Sequence, residues 1–155
     1  MKVSIREAML METFARYLRV LLEDCVYRKI EVESYMPLTI ETIPQGKDEE
    51  CISLSHLGEQ NGDVMRDPEV VFKMVRSGLN GEFAVPCYYR NDYAGAEFGD
   101  YWGQDITKIM TDSMLGSRID LCELWFTNLR HQGFFDERQR RTVYEMLKVD
   151  NQNVE

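Results

Sequence analysis

The sequence predicts an α+β domain, an antiparallel sheet of about five short strands with an N-terminal helix and C-terminal helices packed on one face. Three observations lead to it. Apolar residues recur at three- and four-residue steps near the start, alternate with polar ones from Ile30 onward, and return to the helical period from about Asp105. The links between the alternating segments are short. Parallel neighbours would need crossovers of about a dozen residues, so an antiparallel meander is expected. At 155 residues the chain has the size of one domain, 1–155, that buries roughly two thirds of its unfolded surface.

The first helix is expected from about residue 5 to 27. Ser4 and Glu7 form a capping box, and Leu10, Phe14, Tyr17, Leu18, Leu21 and Cys25 make one apolar stripe. Ile30 and Val32, then Leu38 and Ile40, then Ile52 and Leu54 alternate with polar residues, as strands with one buried face do. Pro37 and Pro44 bracket the second strand, and "QGKDEE" is a polar turn. "EVVFKMV" and "EFAVPCYY" are two further strands joined by "RSGLNG". Pro86 lacks an amide donor, which places the last strand at an edge or gives it a bulge. "DITKIMTDSML" and "SRIDLCELWFTNLR" are helices separated at Gly116; Ile119, Cys122, Trp125, Phe126 and Leu129 give the second its apolar face, and Gly133 suits its C-terminal cap. Asp136 is placed to cap a last helical segment, about 136–148.

Composition narrows the function. The chain is 44% hydrophobic and 11% aromatic, which supports a packed core outside the tail "NQNVE". Lys2, Arg6 and Glu7 interrupt any signal-peptide core and no apolar run could span a bilayer, so a cytoplasmic protein is expected, with no membrane partner. Cys25, Cys51, Cys87 and Cys122 are far apart and read as reduced core residues. The formal charge is -9, and between Glu23 and Glu69 twelve acids face four bases, whereas "RHQGFFDERQRR" is locally basic. An acidic surface repels nucleic acid and attracts a basic protein, so direct DNA or RNA binding is disfavoured.

Candidate chemistry concentrates in "HLGEQNGDVMRDPEVVF". Asn61-Gly62 suits a hairpin turn, but Asp67-Pro68 also reads as a turn, and a loop from about Gly58 to Pro68 is the preferred reading. Glu59, Asp63, Asp67 and Glu69 lack the register that wraps calcium, and His56 shares the face of Ile52 and Leu54, where a histidine is a locally bonded core residue. His131 falls at a helix end, and common hydrolase and phosphate-loop motifs are missing, so neither a cofactor nor a metal is expected. The candidate acidic surface is Asp48, Glu49, Glu50, Glu59, Asp63, Asp67 and Glu69. A second candidate surface is aromatic, with Tyr88, Tyr89, Asp92, Tyr93, Tyr101 and Trp102.

Three blocks carry a family resemblance: "MPLTIE" followed by "ISLSHLGEQNGDVMRDPEVVF", then "YYRNDYAGAEFGDY", then "LCELWFTNLRHQGFF". Over about residues 35–135, with Q-N-G-D-x-M-x-D-P-E and W-x-x-N-L-R-x-Q-G-F as its most specific parts, the chain resembles an uncharacterised family of small bacterial proteins classed as a domain of unknown function, often encoded on plasmids and integrative elements. The resemblance implies gene context more than chemistry. It points to a non-enzymatic accessory protein of a mobile element that binds a basic, nucleic-acid-handling protein, as an inhibitor of a CRISPR or restriction nuclease would. The alternative is a small hydrolase or metal-binding enzyme using His56 and the nearby carboxylates.

Overall fold

The computed structural model describes residues 3–46, 49–78, 81–103 and 105–149. Helix α1 (Ile5–Leu22) begins with the Ser4 and Glu7 capping box in place. It stops five residues before the expected end, because Glu23 adopts a positive φ and Cys25 already enters a strand. Six strands follow: β1 (Cys25–Val32), β2 (Leu38–Gly46), β3 (Glu49–Gln60), β4 (Asp63–Arg76), β5 (Glu82–Asn91) and β6 (Ala96–Gly99). Helices α2 (Ile106–Thr111) and α3 (Leu115–Gln132) come next, then β7 (Arg140–Leu147).

The sheet has seven strands rather than about five, in the order β6-β5-β4-β3-β2-β1-β7, and every neighbouring pair is antiparallel. The two added strands have different causes. β6 is only four residues, set between Gly95 and Gly99 at positive φ, too short for an alternation signal. β7 replaces the helix expected over about 136–148. Asp136 does accept from the Arg138 amide, but it closes a turn, after which Thr142, Val143 and Tyr144 favour extended backbone and satisfy the open edge of β1. Pro86 lies opposite Phe72 beside a register shift, so the expected bulge is present, while the edge itself is β6.

Helices α1 and α3 cover one face. Phe14 of α1 and Phe126 of α3 stack at 5.2 Å over Phe72 of β4, and Ile52, Leu54 and Val70 complete this layer. Gly133 closes α3 in the left-handed conformation, as expected. Two arginines lie inside this packing: Arg28 is 4% exposed and donates to the Leu21 carbonyl at 2.5 Å, and Arg118 is 2% exposed and donates to the Pro86 carbonyl at 2.7 Å and to Asp112 at 3.0 Å.

The opposite face is polar yet largely buried. Register places Thr39, Ser55, Glu69 and Arg90 in one cross-strand row and Glu41, Ser53, Val71 and Tyr88 in the next. The segment after β6 folds over this face, where the Gly103 carbonyl accepts from Lys73 Nζ at 2.6 Å and Trp102 O from Cys51. All four cysteines are free and buried.

Candidate functional site

The longest strands, β3 and β4, form a hairpin that outruns both neighbours. β2 has its last ladder partner at His56 and β5 at Glu69, so beyond Leu57, whose amide donates to Pro37 O at 3.4 Å, and Arg66 the two strands have only each other as ladder partners. The loop expected from about Gly58 to Pro68 is thus a regular arm. Its turn is Asn61-Gly62, at φ of 53° and 86°, the doubly positive conformation for which this residue pair is suited. The irregularity at Asp67-Pro68 that suggested a loop is a register shift inside β4.

Several contacts brace the base of the arm. Arg66 and Asp92 exchange two bonds, from Asp92 N to Arg66 O at 2.8 Å and from Arg66 N to Asp92 Oδ2 at 2.9 Å. That amide, and next the Arg90 guanidinium, hold the Asp92 carboxyl below the usual carboxylate range. Asn91 donates to Asp67 at 2.9 Å. Gly58 has no side chain because the Tyr93 hydroxyl lies against it, 2.7 Å from where a Cβ would stand.

The described candidate acids do not form one surface. Glu59 and Asp63 sit exposed at the arm tip without an ion pair among the described residues. Asp67 is held at the base. Glu69 is 7% exposed on the buried polar face, where it accepts from Ser53 at 2.7 Å and forms an ion pair with Arg66 at 3.1 Å. Glu50 is joined with Glu82 to Arg19 of α1, Glu49 is exposed 4.0 Å from Lys73, and Asp48 lies outside the described residues.

The aromatic candidates also divide. Tyr88 is buried and donates to Glu97 at 2.6 Å; burial and this carboxylate push its pKa up to about 12. Tyr89 stacks on Phe98, and Tyr101 meets Tyr88 and Trp102 edge-on at 5.2 Å. Tyr93 (47% exposed) belongs to the arm base, but Trp102 (54% exposed) touches β3 at Cys51. Gly58 is seven residues further along that strand, about 23 Å away at about 3.3 Å per residue.

His56 is 8% exposed between Trp125 and Phe134, and its Nδ1 donates to the carbonyls of Met36 and Pro37. Burial lowers its pKa. Among the described residues no three His, Cys, Asp or Glu side chains meet in a group that could hold a metal ion. Sequence reasoning missed Arg118, although its spacing of four and seven from Cys122 and Trp125 puts it on the apolar stripe of α3. It also missed Glu41 and Thr39, whose alternation reads as solvent-facing.

A family model described as Domain of unknown function (DUF6908) matches residues 9–135. The match begins well before the resemblance at residue 35, taking in most of α1, and leaves β7 outside. No curated protein and no solved structure matches the chain. Among the described residues no helix is long and apolar enough to cross a membrane.

Proposed function

The chain belongs to this family, a domain of unknown function, and we propose that it acts by binding another protein through the acidic hairpin arm. The observation that carries the reading is the arm itself: a paired hairpin, braced at its base, whose two tip carboxylates, Glu59 and Asp63, are exposed and unpaired among the described residues. A narrow anionic projection suits a basic groove, and the proteins that expose such grooves handle nucleic acid. The reading extends to an accessory protein of a bacterial mobile element that inhibits a CRISPR or restriction nuclease by occupying its nucleic-acid channel, by analogy of charge and not by any motif. A cytoplasmic location accords with such a partner.

The test is capture of partners by the purified protein, followed by binding kinetics of each captured partner against the wild type and a Glu59→Lys/Asp63→Lys variant. The partner is expected to be basic. Association should slow as salt shortens the screening length from about 10 Å to about 3 Å, and the double reversal should slow it further without unfolding the domain. Partners that are neutral or acidic, or an unchanged association rate in the double variant, would sink the reading.

A further inference from the structure

We infer that the sheet face opposite α1 and α3 holds a site for one positive charge of the alkylammonium class, centred on Glu41. The argument starts from an imbalance between two carboxylates. Glu69 has both oxygens engaged, one accepting from the Ser53 hydroxyl and the other paired with the charge of Arg66 at Nε. Glu41, opposite Ser53 in the register, has neither a hydrogen bond nor an ion pair among the described residues. It is partly buried, and that burial and the nearby charge of Glu69 both raise its pKa. A half-desolvated carboxylate beside another carboxylate lacks compensation that a cation would supply.

A second observation points to a ligand. Thr39, two residues before Glu41 on the same face of β2, is 5% exposed, and its Oγ1 is buried with no partner. Across the ladder stands Ser55, also buried, which in turn pairs with Glu69. The Tyr101 ring packs edge-on at 5.2 Å against Tyr88, which shares the cross-strand row of Glu41 and Ser53, and burial, then the charges of Glu69 and Glu41, raise its pKa. The remaining neighbours are Tyr27, opposite Glu41, and Lys29, opposite Thr39, which makes no ion pair with Glu41.

One carboxylate, neutral hydroxyl acceptors and an aromatic wall suit an ammonium group, which offers three donors and attraction to a ring face. A divalent metal suits them less, because Arg66 already occupies the second carboxylate. A lysine side chain of a basic partner is the natural carrier of the group. That identification rests on the binding role proposed above, whereas the site itself does not.

Nuclear magnetic resonance titration separates the two. With n-butylammonium chloride, saturable shifts are expected at amides around Thr39 to Glu41 and Ser53 to Ser55, with n-butanol producing none. Glu41→Gln removes the uncompensated charge isosterically, so it should stay folded and weaken binding at least about tenfold; Thr39→Val should weaken it less. The Glu59→Lys/Asp63→Lys variant should retain the n-butylammonium response even if it loses a protein partner, so failure of the arm reading and failure of this site give different patterns. The inference is overturned if n-butylammonium gives no saturable shift, if n-butanol reproduces the shifts, if Glu41→Gln binds as wild type does, or if calcium or magnesium chloride perturbs the same amides more strongly.

Discussion

Replacing Arg118 with Met should destabilise the domain by about 2 to 4 kcal/mol, although the change keeps an aliphatic stem of similar length. The magnitude comes from two bonds. Arg118 Nε donates to the Pro86 carbonyl at 2.7 Å, beside the β5 bulge, and losing that donor leaves a buried acceptor unsatisfied at a cost of about 1 to 3 kcal/mol. Nη1 lies 3.0 Å from Asp112, whose side chain is partly solvated, so its release costs less than a fully buried charge would. Arg118→Ala should cost more, because a cavity is added inside α3 packing. Urea denaturation measures this directly: with a slope of about 2 kcal/mol per molar urea, the midpoint should fall by about 1 to 2 M. Asp112→Asn in the Arg118→Met background should cost less than in the wild type, since the pair is already broken. An Arg118→Met midpoint equal to that of the wild type would refute the view that this guanidinium ties α3 to the sheet, and strict additivity in the double variant would refute its pairing with Asp112.

Trp125→Ala should cost about 3 to 5 kcal/mol, since the ring is buried against His56 and Phe126; a folded variant of wild-type stability would contradict that packing. Gly62→Ala should lose about 1 kcal/mol in thermal melts, because φ there is 86° and a side chain meets strain but no clash. Glu41 has a folded pKa above its unfolded value, so the native state binds more protons across that window and stability falls as pH rises through it. Glu41→Gln should flatten that fall in a stability-against-pH series, and an unchanged slope would assign it elsewhere. Asp112 has the opposite sign: the Met114 amide, then Arg118, depress its pKa, so its contribution is present above the unfolded pKa and is lost as pH falls through the folded one, a loss Asp112→Asn should remove.

Local signals reached some of this architecture and long-range contacts decided the rest. The capping box at Ser4 and the alternation through Ile52 and Leu54 are local, and both appear where the sequence puts them. The Asn61-Gly62 turn was equally readable, but Asp67-Pro68 competed with it, and only the pairing of Leu57 with Arg66 resolves the two. β7 is not legible in "RTVYEML", which has no strong period, because its conformation is dictated by the open edge of β1 more than a hundred residues earlier. The polar face shows the same limit. Thr39, Ser53 and Ser55 alternate with apolar residues as solvent-facing positions do, yet they are buried, with the chain around Tyr101 to Gly103 folded across that face.

Charge illustrates why a linear count misleads about surface. The acids between Glu23 and Glu69 suggested one anionic face, but the fold brings arginines from outside that stretch onto them. Arg140 meets Glu23 at 3.1 Å, Arg141 meets Glu31 at 2.9 Å, and Arg19 of α1 holds Glu50. The basic segment near the end of the chain thus neutralises the start of the sheet through β7. Reversing Glu50 with its neighbours would break the link to Arg19, so a loss of binding there would not report on surface charge alone. Among the described residues the acids of this stretch left without an ion pair are scattered: Asp24 and Glu33 are exposed near the two ends of β1, Glu59 and Asp63 lie at the tip of the braced arm, Asp67 is hydrogen-bonded at its base, and Glu41 is on the polar face. The formal charge of -9 acts at long range and is screened by salt, so it accelerates encounter with any basic partner. Discrimination among such partners has to come from groups that touch, and at the arm tip two unpaired carboxylates sit on a hairpin that extends past both neighbouring strands.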